Sequence, residues 1–170
     1  MQFDRSKSLQ QLDGQDWGKP TYNSHLVTEC HRLRRVPLRQ FTVEDLRIMI
    51  GQRISLEYLM PLALEHLRSD PLAEGDHYSG DLLSAVLRAG RDVWQLHPDW
   101  RDEVAGIAQR TVRFFAGNER LEEVTRFSRR RAVKRSLATQ SNLRLSSSVI
   151  RDLAIFSLLL KDCTQFANRL

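Results

Sequence analysis

Between Leu56 and Leu67, apolar side chains recur at Leu56, Leu59, Met60, Ala63, Leu64 and Leu67, while Glu57, Pro61, Glu65 and Arg68 fall opposite them. This i, i+3, i+4, i+7 spacing predicts a helix with one buried stripe, and so a core helix around which neighbouring segments must pack. Pro61 constrains it further. An interior proline removes a backbone donor and clashes one turn back, at a cost of about 3 kcal/mol. Two solutions are open: the helix bends with Pro61 on its wet face, or one helix ends near Leu59 and a second starts with Pro61 at its first position.

The flanks give two more helices. Thr42 with Asp45 three residues on matches a capping box, and Phe41 and Leu46 stand at the two positions of a hydrophobic staple, so a helix is expected from Val43 to near Gly51. After Asp70-Pro71 the pattern breaks into the loop DPLAEGDHYSGD, and Asp81 is placed to cap a third helix carrying Leu82, Leu83, Val86 and Leu87. This loop holds four carboxylates and one tyrosine. As a connector it would use Gly75 and Gly80 at positive φ. As a contact site, its carboxylates beside Tyr78 would suit a basic partner.

Elsewhere the pattern is also helical. Ser8 can cap a short helix through Leu9 and Leu12 that ends at Gly14, after which Trp17 and Pro20 mark an irregular crossing draped over the body. From Ser24, Leu26, Val27, Cys30 and Leu33 suit another helix, closing in Arg32, Arg34 and Arg35 and stopped by Pro37. This cluster, with Arg39, reads as a solvated helix end complementing the dipole. Gly90 closes the third helix, and Val93, Trp94 and Leu96 form an apolar knot. Pro98-Asp99 then starts a helix with Trp100, Val104, Ile107, Ala108, Thr111 and Phe115 on one face and Gly117 at its end. Asn118 can cap a segment running from Glu119, Glu122 and Glu123 into Arg126, Arg129, Arg130, Arg131, Lys134 and Arg135; a polar linker follows. The last helix, Val149 to Asn168, is apolar nearly all round, which calls for packing on its own domain or, second, a dimer contact.

The fold class expected is therefore all-α: a single-domain multi-helix bundle or irregular helical array. Residues 1–120 would form the helical domain, with 121–170, comprising basic helix, polar linker and apolar C-terminal helix, packed on it. Before Leu121 there are 16 basic and 17 acidic residues; from Leu121 on there are 10 and 4. The basic pI thus belongs to the tail, and a nucleic-acid-binding or regulatory reading would have to rest on residues 126–135.

Catalytic signatures do not accompany this scaffold. The sequence has no P-loop, no Rossmann glycine fingerprint, no His-Glu-x-x-His and no CxxC pair. His25, Cys30 and His31 are close in sequence, but their spacing puts His25 and Cys30 on different helical faces with no fourth ligand, so no metal and no cofactor is expected. Cys30 and Cys163 read as small buried side chains in a reducing compartment. No apolar run approaches twenty residues, and MQFDRSKSLQQ lacks both a signal-peptide h-region and an Arg-rich transit pattern, so the expectation is a cytoplasmic protein without a membrane partner.

From Leu9 to about Phe115, the chain resembles one family of immunity proteins from bacterial contact-dependent growth inhibition systems. The residues carrying the resemblance are Trp17-Gly18, Cys30 to Arg34, Phe41 to Gln52, Pro61 to Glu65, Asp70 to Asp76 and Gly80 to Leu83. It implies a small helical, non-catalytic cytoplasmic protein that neutralises a delivered toxin by binding its C-terminal domain, often a nuclease. Nuclease grooves are basic because they hold phosphates. A carboxylate patch would therefore both steer and fit, which nominates Glu74, Asp76 and Asp81 with Tyr78 as anchor.

Overall fold

The computed structural model describes residues 3–116 together with Lys161, Asp162 and Phe166. The expected basic segment 118–135, the linker after it, most of the last helix and Gly117 lie outside the described residues. Among the described residues there are seven α-helices and no strand: α1 (Leu9–Asp13), α2 (His25–Leu33), α3 (Val43–Gly51), α4 (Leu56–Ser69), α5 (Asp81–Leu87), α6 (Arg91–Leu96) and α7 (Pro98–Ala116). The chain is all-α. None of these helices is long and apolar enough to cross a membrane.

The helix starts follow local chemistry. Ser8 and Gln11 form a capping box at α1, which ends on Gly14 in the left-handed region. Thr42 and Asp45 do the same at α3, and Ser24 accepts the Val27 amide at α2. Phe41 and Leu46, the two members of the staple, are both buried.

Helix α4 is a single helix that runs through Pro61, so the two-helix alternative is set aside. Its buried face takes in Leu59, Met60, Ala63, Leu64 and Leu67, with Leu62 widening it and Leu56 only half-buried. It packs against α3, α5 and α7, while α3 also lies on α5 and α2. On α7, Val104, Ile107, Ala108 and Thr111 are buried as the periodicity requires. Two details of the α6 region differ from expectation. The stretch expected as an apolar knot is a short helix with Gly90 as its N-cap, and only Val93 and Trp94 enter the core, leaving Leu96 75% exposed.

The larger departure is Arg34. Expected at a solvated helix end, it is 2% exposed. Its guanidinium donates to Asp13 Oδ1 at 2.8 Å, to the Gln15 carbonyl at 2.7 Å and to Ser55 Oγ at 3.3 Å, and lies 4.4 Å from the centre of the Trp17 ring. A buried charge persists only when paired and hydrogen-bonded, and this node ties the N-terminal crossing to the start of α4. Burial pushes the Asp13 carboxyl up, but Arg34, the Gln15 amide and Ser55 outweigh it and hold it below its ordinary value. The node also explains a local oddity. Ser55, the N-cap of α4, sits at φ 48° with no side-chain capping bond, because its hydroxyl is engaged by Arg34 and Asp13 instead.

Removing one partner of such a pair leaves the other uncompensated. Arg34→Met is expected to lower unfolding stability by about 3–5 kcal/mol in urea titrations. A loss below about 1 kcal/mol would show that Asp13 reaches water without it.

Candidate functional site

The acidic loop between α4 and α5 is built from both sides. At its start, the Leu72 amide donates to Asp70 Oδ1 at 2.9 Å, and the Gly80 amide closes the loop by donating to the Leu72 carbonyl at 3.0 Å. Glu74 and Ser79 face each other across an isolated antiparallel bridge, with the Ser79 hydroxyl donating to Glu74 Oε2 at 2.6 Å. Gly80, at φ 88°, turns the chain into α5 and is its N-cap.

Asp81 therefore stands one residue inside the helix, not at the cap where sequence reasoning put it. It is 2% exposed. Its carboxylate reaches back over the loop, accepting the Gly75 amide at 2.8 Å and the His77 amide at 3.2 Å, with Arg47 Nε 3.7 Å away. Across the loop, Glu44 on α3 accepts the Asp76 amide at 3.0 Å and two bonds of 2.6 Å from Arg47. Three consecutive loop amides, at Gly75, Asp76 and His77, are thus held by two carboxylates joined through one guanidinium. Glu44 is held below its ordinary value first by Arg47, against the opposing effect of burial, with the Asp76 amide and further charges adding to the lowering. Arg47 is shifted upward, chiefly by its bonds to Glu44.

Gly75 does not adopt the positive φ expected of it. What requires glycine there is space: a Cβ would run into the Glu44 carboxylate and lie 3.0 Å from Asp81 Oδ2.

The four nominated residues consequently separate. Glu74 and Asp76 present exposed carboxylates, Tyr78 is half-buried against the core, and Asp81 is spent inside the loop. Glu44 and Arg47 were not nominated. Their spacing, three residues apart on one helix, reads as an ordinary surface ion pair, and nothing local says that a loop thirty residues later will close on it.

This is an all-α protein in which two exposed carboxylates, Glu74 and Asp76, are carried on a fastened loop. The model of the CDI immunity proteins matches residues 11–104, over half the chain, and the chain belongs to that family. Membership makes it the immunity component of a toxin–immunity system and implies a cognate toxin protein as partner. The match takes in α2 to α6, the Arg34 node and the whole acidic loop. No curated protein and no solved structure matches the chain.

Two outcomes test the loop's construction. Gly75→Ala should cost about 1–3 kcal/mol in chemical denaturation, because the added methyl displaces groups already committed to the loop amides; an unchanged midpoint would mean that Glu44 moves aside freely. Since the folded pKa of Glu44 lies below its ordinary 4.5, its stabilisation is complete above that pH and is lost as pH falls through the folded value. The stability gap between wild type and Glu44→Gln should stay constant from about pH 7 to pH 5 and shrink on further acidification. A gap that widens in acid would contradict the assignment.

Proposed function

We propose that this immunity protein neutralises its toxin by binding the toxin's C-terminal domain without turnover, with Glu74 and Asp76 as the charged contacts, Tyr78 as the anchor and Asp81 holding them in place. The observation that carries this reading is the loop itself. Exposed carboxylates on a segment fastened at three successive amides bind without a further ordering cost, the condition under which a small patch gives useful affinity.

The charge of the loop supports a nuclease as the toxin. A nuclease groove is lined with cations that hold phosphates, and carboxylates presented on a rigid loop meet those cations as the nucleic-acid backbone would. Inhibition is then steric and electrostatic: the groove is covered and the toxin's chemistry is left intact. An agent of this kind works in the cytoplasm of the cell that makes it, where the delivered toxin finds its substrate.

The test is affinity for the C-terminal domain of the cognate toxin. The double variant Glu74→Lys, Asp76→Lys places like charges against the groove and should weaken binding by about a hundredfold, roughly 2.7 kcal/mol, with an unchanged helical circular dichroism spectrum. An unchanged dissociation constant would remove the loop from the interface.

A further inference from the structure

One polar stripe runs along helix α5 to its C-cap: Asp81, Ser84 and Arg88 recur at the spacing that puts residues on a common side. On a surface helix such a stripe faces water, yet every residue from Asp81 to Leu87 is buried. Two different parts of the chain cover it. The acidic loop and Arg47 close over Asp81, as described above. Ser84 is covered by Asp162, whose Oδ2 accepts the Ser84 hydroxyl at 2.6 Å and lies 3.7 Å from Nε of the exposed Arg88. Asp162 is itself only 8% exposed. Four residues later, buried Phe166 meets the Trp94 ring edge-on, with centroids 5.2 Å apart and planes at 90°.

We infer that Asp162 and Phe166 are positioning residues for the acidic loop, acting through the rotation of α5; the consequence for toxin affinity rests on the contact surface proposed above. Ser84 and Asp81 sit on the same stripe one turn apart, so the helix cannot turn Ser84 away from Asp162 without also swinging Asp81 away from the Gly75 and His77 amides. A buried carboxylate strongly favours keeping its donors, and close-packed interiors move between discrete arrangements instead of yielding gradually. Phe166 against Trp94 fixes the clasp from its other end. Both clasp residues lie far beyond residue 104, where the family match stops. The acidic loop, which lies inside the matched region, is therefore trimmed by residues outside it.

The test uses the full chain with Asp162→Ala, Asp162→Asn and Phe166→Leu, read by amide hydrogen exchange at Gly75 and His77 against Ala63 and Leu64 in α4. Asp162→Ala should accelerate the two loop amides by about tenfold while the α4 amides stay within about twofold. Asp162→Asn, which can still accept the Ser84 hydroxyl, should remain near wild type, and Phe166→Leu should fall between. Unchanged loop exchange, equal acceleration at loop and α4, or an Asn variant as fast as Ala would each overturn the proposal. Affinity for the toxin C-terminal domain is measured in parallel and should fall about tenfold in Asp162→Ala. Selective loop acceleration with unaltered affinity would support the clasp and count against the loop as the toxin contact.

Discussion

A carboxylate withdrawn from water must find donors, and the way Asp81 finds them organises this molecule. At the first position of a helix buried on every side, its oxygens take two amides from the preceding loop and face a guanidinium from α3. That guanidinium is anchored by Glu44, which takes the amide between those two. The result is a small closed circuit in which α3, α5 and the loop each satisfy groups the others have buried. Such circuits are costly when incomplete and specific when complete. Here completeness is what converts a glycine-containing acidic connector into a fixed surface.

This construction gives the acidic residues different roles. Those turned inward, Glu44 and Asp81, use their charge on backbone donors and on Arg47; those turned outward, Glu74 and Asp76, stay exposed, with one Glu74 oxygen also taking the Ser79 hydroxyl. The distinction matters for an immunity protein because an outward carboxylate on a floating loop would have to be ordered at the moment of binding. The body as a whole is nearly neutral through Arg120, so the attraction proposed for a basic groove comes from local placement, not from net charge. The Arg34 node fulfils the matching task at the opposite end of the fold, where it fixes the N-terminal crossing and the first turn of α4.

How much of this could be read from the sequence divides along the range of the interactions. The cap at Ser8, the capping box at Thr42, the staple of Phe41 and Leu46, and the apolar stripes of α4 and α7 are settled within a turn or two, and they were legible. Arg34 was not. In sequence it is one arginine in a basic run at a helix end, and its partners Asp13, Gln15 and Ser55 lie about twenty residues away on either side. The loop shows the same divide within twelve residues: its acidity and its glycines were visible, but which carboxylates face inward depends on Arg47, thirty-four positions before Asp81. Gly75 illustrates a subtler limit, since glycine suggests a positive φ, whereas here it answers a shortage of room. Nothing near Ser84 in sequence points to its partner Asp162, which stands 78 positions further along the chain.

The central claim is that the acidic loop is already ordered before any partner arrives. The direct measurement is the backbone 15N order parameters of Glu74 to Tyr78 in the free protein. The account predicts values close to those of rigid helices, about 0.85. Values below about 0.6, with the neighbouring helices rigid, would contradict it.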